Sequence, residues 1–61
     1  MNKAKWGDKV IATNLAMKNG LFKTYKPFGI YLGRSRRGLL RVVIEDRVTV
    51  TEYHEDYWVL A

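Results

Sequence analysis

Three guanidinium groups fall within four residues at Arg34-Ser35-Arg36-Arg37, bounded by Gly33 and Gly38. A guanidinium is a planar fork of N–H donors that meets phosphate or carboxylate oxygens two at a time, so an arginine-rich turn suits a polyanion. Arg41 follows on the next apolar run, and Lys23 and Lys26 precede the turn and extend the basic set. Tyr31, with Phe22 and Tyr25, lies among these cations, and aromatic rings between basic residues stack on unpaired bases. Arg34, Arg36, Arg37, Arg41, Lys23, Lys26 and Tyr31 are therefore the candidate nucleic-acid-binding residues. Two plainer readings stand beside this one. The turn is a solvated loop balanced by Glu45, Asp46 and Glu52, and the rings fill a thin core that needs their bulk.

The single histidine, His54, is flanked by Glu52, Glu55 and Asp56. Carboxylates favour the imidazolium and suggest acid–base or metal chemistry. Neighbouring residues in a turn point in different directions, however, and the chain has no second His and no Cys. The expectation is a corner residue that hydrogen-bonds the Tyr53 to Tyr57 turn, with Asp56 accepting from a backbone N–H. No glycine-rich phosphate loop, zinc-ligand spacing or Ser-His-Asp grouping is present, so no catalytic residue, cofactor or metal is assigned and a non-enzymatic role is expected.

The elements that must position these groups belong to a chain of 61 residues with 48% hydrophobic residues and no cysteine. A domain of that size buries only about 60% of the surface its unfolded chain exposes. With disulfides and thiolate metal sites excluded, stability rests on apolar packing, aromatics or self-association, so a homo-oligomer is one expected outcome. No apolar run reaches the roughly 20 residues of a membrane span, and the polar start carries no hydrophobic leader stretch, so the expected compartment is the cytoplasm with no membrane partner. The net charge of +5 is unevenly divided: residues 1–44 carry ten of the eleven Lys and Arg against Asp8 alone, and residues 45–61 carry Arg47 against five acids. On a folded surface this becomes either a two-faced charge distribution that attracts a polyanion or a lattice of solvated ion pairs.

Residues 1–5 are expected to fray, with Trp6 as the tie that ends the fraying. Gly7-Asp8 turns into a first strand over residues 9–13, with Val10 and Ala12 on the core side. Residues 14–27 read as a long excursion loop that includes at most one helical turn, capped by Asn14 and ended by Asn19-Gly20. The second strand covers residues 28–33, where Phe28, Ile30 and Leu32 share one face and Gly29, Tyr31 and Gly33 the other. Its glycines suggest a bend or a close backbone approach. Gly38 provides a positive φ for the hairpin, and the third strand over residues 39–45 turns Leu40, Val42 and Ile44 inward. Asp46-Arg47 forms the next turn. A fourth strand from Val48 to Tyr53 is read with Val48 and Val50 inward, and a single 3₁₀ turn at residues 54–56 precedes a closing strand that ends at Leu60. Trp6, Tyr57 and Trp58 meet as an aromatic patch that is either core, a self-association face or a groove for a protein partner. Five short strands fit an all-β, small five-stranded SH3-like barrel, closed or nearly closed, as one domain.

Gly29, Gly33, Ser35, Arg36, Gly38, Arg41-Val42, Thr49, Tyr53-His54 and Asp56 together resemble a set of short uncharacterised proteins common in bacteriophages and mobile elements, which end in a similar Tyr-His-x-Asp pattern. The resemblance covers the C-terminal half and implies an SH3-like barrel of phage or mobile-element origin, with no activity attached. A second resemblance is to the plasmid-encoded type II dihydrofolate reductases, SH3-like barrels of similar length that act as homotetramers. Gly7-Asp8-Lys9-Val10 is similar to their opening Gly-Asp-Arg-Val, and Val50 and Tyr53 fit their Val-Gln-Ile-Tyr. The glutamine and isoleucine that contact ligand in that family are Thr51 and Glu52 here, and a ring of Glu52 carboxylates repels an anionic cofactor. The leading expectation is thus a binding module for nucleic acid or a nucleic-acid-bound complex, with a protein-interaction or assembly module as the alternative.

Overall fold

Runs of β-branched and aromatic residues set the five strands, and glycines set their corners. The computed structural model describes residues 3–22, 25–45 and 47–61. Strands β1 (Lys9–Ala12), β2 (Phe28–Arg34), β3 (Leu40–Ile44), β4 (Val50–Tyr53) and β5 (Trp58–Leu60) form one antiparallel sheet in the order β4-β3-β2-β1-β5. A short helix α1 (Asn14–Lys18) and a 3₁₀ turn over Glu55–Tyr57 complete the chain. The strand order is that of a small SH3-like fold, but the hydrogen-bonded ladder is not closed: β4 and β5 remain edges. Side chains bridge the gap instead. Tyr53 on β4 and Trp58 on β5 lie with ring centroids 5.3 Å apart, and Phe22 from the long connection stands edge-on to Trp58 at 5.7 Å.

The core holds Val10, Ala12, Ala16, Tyr31, Leu40, Val42, Ile44 and Trp58. Trp58 is the largest fully buried side chain, and its Nε1 has no hydrogen-bond partner among the described residues. Gly29 explains how so large a ring fits: a Cβ there would stand 2.6 Å from Val42 Cγ1 and 3.4 Å from Trp58 Cζ3. The second strand's other glycine supplies the bend. Gly33 has φ of 87°, and the β2–β3 register shifts between Tyr31 and Arg34.

The register corrects two expectations. Val50 pairs with Val43, and Thr51 with Val42, so Val50 shares the outer face with Val43 while Thr51 and Tyr53 share the side of Val42 and Leu40. Val48 precedes the strand and is 97% exposed, and Val50 is 39% exposed; neither belongs to the core. The helical turn forms, but Thr13 caps it: its Oγ accepts from the Ala16 N–H and donates to the Asp56 carbonyl at 2.7 Å. Thr13 is suited to the task because it also anchors the helix to the 3₁₀ turn, its own N–H donating to the Tyr57 carbonyl. Asn14 lies inside the helix. The Asp46 half of the expected Asp46-Arg47 turn lies outside the described residues.

Candidate nucleic-acid interface

Ser35 builds the arginine turn. Its N–H donates to the Leu39 carbonyl at 2.8 Å, its carbonyl accepts from the Gly38 N–H, and its hydroxyl accepts from the N–H groups of Arg37 and Leu39. Gly38, with φ of 79°, allows the reversal. The three arginines are thereby held on one hairpin tip with different degrees of freedom. Arg34 is fixed: Nη1 donates to the Gly38 carbonyl and Nη2 to Glu55 Oε2, both at 2.9 Å. Arg37 stands 3.8 Å from Glu52 with most of its side chain in solvent. Arg36 is exposed and makes no ion pair among the described residues.

The N-terminal segment pairs with β2 at the root of this hairpin. Gly7 N–H donates to the Tyr31 carbonyl (2.7 Å), and Tyr31 N–H donates to the Asp8 carbonyl (2.9 Å). A tight turn closes behind it, where Lys5 N–H donates to the Asp8 carboxylate and Asp8 N–H to the Lys5 carbonyl. Gly7, with φ of 93°, makes that turn reachable. These bonds set Trp6 beside Gly33, whose Cβ position lies 3.9 Å from Trp6 Cδ1, at the root of the arginine hairpin. Trp6 is 75% exposed, so it is not the tie expected of it; the backbone of Gly7 and Asp8 is. Lys3 and Lys5 are exposed on the same segment. The resulting corner sets an open indole at the root of the arginine hairpin, between Lys5 and Gly7 in the chain.

The other candidates are dispersed. Tyr31 is 7% exposed and belongs to the core, so it is removed from the interface: β2 turns Gly29 and Tyr31 inward because they pair with Ile44 and Val42. Arg41 is on the outer face of β3, directly across from Glu52. Lys26 lies before β2, at the opposite end of that strand from the arginine turn, where Tyr25, Lys26, Pro27, Phe28, Ile44 and Glu45 line an open groove of about 230 Å³. At a rise of about 3.3 Å per residue the strand holds it some 20 Å from the hairpin, so Lys26 does not extend the arginine patch. Lys23 lies outside the described residues. The expected Trp6, Tyr57 and Trp58 patch is not formed: Trp58 is fully buried, Tyr57 is half-buried and accepts from Asn19 Nδ2, and Trp6 is on the hairpin corner. Trp6 carried a signal in the sequence, a large aromatic between Lys5 and a Gly-Asp turn, but its place beside Gly33 depends on pairing with a strand far along the chain.

At the other corner, His54 caps the 3₁₀ turn with its ring, Nδ1 accepting from the Asp56 N–H at 3.2 Å. His54 thus hydrogen-bonds the Tyr53 to Tyr57 turn as expected, while Asp56 takes part through its backbone N–H and its carboxylate accepts from no backbone N–H among the described residues. Among the described residues no three His, Cys, Asp or Glu side chains group as a metal site. Thr51 and Glu52, the ligand positions of the reductase resemblance, lie on edge strand β4, with Glu52 turned outward. Glu55 has a pKa below the ordinary carboxylate range, because it accepts a hydrogen bond from Arg34 and feels that residue's positive charge. It holds Arg34 back from solvent anions. Among the described residues no helix is long and apolar enough to cross a membrane. Comparison of the chain with protein-family models, curated proteins and solved structures finds no match.

Proposed function

We propose that the chain is a non-enzymatic binding module that holds single-stranded nucleic acid at the corner formed by Trp6 and the Arg34 to Gly38 hairpin. The observation that carries this reading is the indole of Trp6, 75% exposed in a chain whose only other tryptophan is fully buried, set beside Gly33 at the root of the hairpin that carries Arg34, Arg36 and Arg37. An indole face stacks on any unpaired base, and guanidinium and ammonium groups around it neutralise the phosphates on either side. A duplex keeps its bases stacked on each other and offers nothing to Trp6, which favours single strands. Such a partner is met inside the cell, so the proposed compartment is the cytoplasm.

Binding of a labelled single-stranded oligonucleotide and of a duplex, each titrated at several salt concentrations, tests the proposal. Single strands should bind more tightly, with affinity falling as salt rises by about 0.7 in the log–log slope per phosphate contacted. Affinity insensitive to salt, or equal for both nucleic acids and unchanged in Trp6→Ala, would sink it.

A further inference from the structure

Strand β4 has β3 on one side and, among the described residues, no strand on the other. Its open edge can be assigned group by group. In an antiparallel pair, residues that exchange main-chain hydrogen bonds alternate with residues that turn those groups the other way. The Glu45 N–H donates to the Phe28 carbonyl of β2 at 3.0 Å, so Glu45 and Val43 address β2 while Ile44 and Val42 address β4. Val42 is paired with Thr51, so Thr51 is bonded into the ladder, and Val50 and Glu52 turn their N–H and C=O groups to the open edge. Both residues are exposed.

Open edges template further strands, and folded chains blunt them with proline, bulges, charges or brevity. Strand β5 is blunted by its length of 3 residues. Strand β4 is not: its register with β3 runs without a shift, it holds no Pro or Gly, and its only charge is Glu52. Val48-Thr49-Val50-Thr51 is an unbroken β-branched run, the residue type best suited to strands, yet the ladder starts only at Val50. Val48 is 97% exposed. A strand arriving on the open side would take up Val48 and Thr49 as well. Only another extended backbone presents N–H and C=O groups at the spacing this edge requires. The outer apolar row Ile30, Val43 and Val50 crosses β2, β3 and β4 in register and stops at Val50, 39% exposed. A second β4, antiparallel about a two-fold axis at Val50, sets Val50 against Val50, Thr49 against Thr51 and Val48 against Glu52. Each outward group then meets its counterpart, and the apolar row continues into the second copy. The edge is used once, so the assembly closes at two copies.

We propose that two copies of this chain join edge to edge through β4, making one continuous sheet about a two-fold axis at Val50. Trp6 rests against β2, on the far side of β3, so the pairing does not depend on the nucleic-acid proposal. Molar mass in solution, measured by light scattering and sedimentation over a dilution series, should move from twice 7.1 kDa to 7.1 kDa. Val50→Pro removes an edge N–H and no bond to β3, so it should fold while its dissociation constant rises about tenfold or more. Val50→Lys keeps every N–H but sets like charges together at the axis, and it should weaken the pair by a similar factor of about ten. Where a variant fails to fold, hydrogen exchange of the unaltered protein decides: the Val50 and Glu52 amides, turned outward in the single chain, should exchange more slowly as concentration rises. A monomer at about 1 mM, which would leave the edge to a strand of some other protein, would overturn the proposal. So would exchange at Val50 and Glu52 that is independent of concentration, a folded Val50→Pro that pairs as tightly as the wild type, or assemblies of more than two copies.

Discussion

Two tryptophans near opposite ends of the chain have opposite surroundings. Trp58 is enclosed by Phe22, Tyr53 and the glycine backbone at position 29, where it fills the space between the open edges of the sheet. Trp6 rests on Gly33, four residues along the same strand, with its ring in solvent at the root of the arginine hairpin. In a domain this small every large ring is wanted inside, since the core is thin. A ring left outside is therefore the more informative of the two. Trp58 accounts for why the sheet holds its shape without a closed ladder, and Trp6 is the ring at which the proposed function places a partner.

Exchanging either ring for alanine separates these roles most strongly. Trp58→Ala should cost about 3–5 kcal/mol, which approaches the whole stability of a chain with about 0.05–0.15 kcal/mol per residue. Thermal or denaturant unfolding should show a largely unfolded population at room temperature; a stable, cooperative Trp58→Ala would refute its role as the keystone. Gly29→Ala should also be destabilising, by about 1–3 kcal/mol, because the added methyl meets Val42 and the Val43 carbonyl. Trp6→Ala should leave stability within about 0.5 kcal/mol. Its affinity for a single-stranded oligonucleotide should fall roughly fivefold to a hundredfold, the value of one stacked base. If the melting temperature falls and binding does not, the roles given to the two rings are wrong.

The basic residues sharpen the contrast by smaller amounts. Arg36→Ala/Arg37→Ala should reduce the salt slope of binding by about 1.4, two phosphate contacts' worth, while Arg41→Ala and Lys26→Ala, away from the tip, should change it little. The smallest effect belongs to Glu55. Its depressed pKa means that the Arg34–Glu55 contact contributes stability above the ordinary carboxylate range, a contribution lost as pH falls through the lowered value. The same protonation releases Arg34 towards phosphate. Affinity for single strands should therefore rise on acidification into that range, and Glu55→Gln should show the higher affinity already at neutral pH and a flatter acid limb. A variant that binds no better at neutral pH would show that Arg34 contributes nothing to the site.

Much of the sheet could be read from the order of residues, and the exceptions have physical causes. Leu40, Val42 and Ile44 alternate with Arg41 and Val43, and one of those is charged, which fixes the inner side. On β2 both alternating sets are apolar or glycine, so polarity alone left Tyr31 free to be read as a base-stacking ring; its burial follows from its pairing with Val42. The same ambiguity reversed β4. Val50 and Thr51 differ little in size, and the cross-strand partner Val43, itself on the outer face, turns Val50 outward. Arg34, Arg36 and Arg37 share one hairpin because adjacency in the sequence is a local property. Lys26 fell away and Trp6 joined because their positions depend on the length of β2 and on the Gly7 to Tyr31 pairing, neither of which a basic composition encodes.

Tryptophan fluorescence tests the central claim most directly. In Trp58→Phe the core keeps an aromatic ring and loses an indole N–H that has no partner among the described residues, so the fold should persist with Trp6 as the only tryptophan. Titrating that variant with a single-stranded oligonucleotide should quench its emission saturably as bases stack on the exposed indole, with the apparent affinity falling as salt rises. Full occupancy, shown by an independent label on the oligonucleotide, without any change in Trp6 emission would contradict the account, as would the absence of binding at low salt.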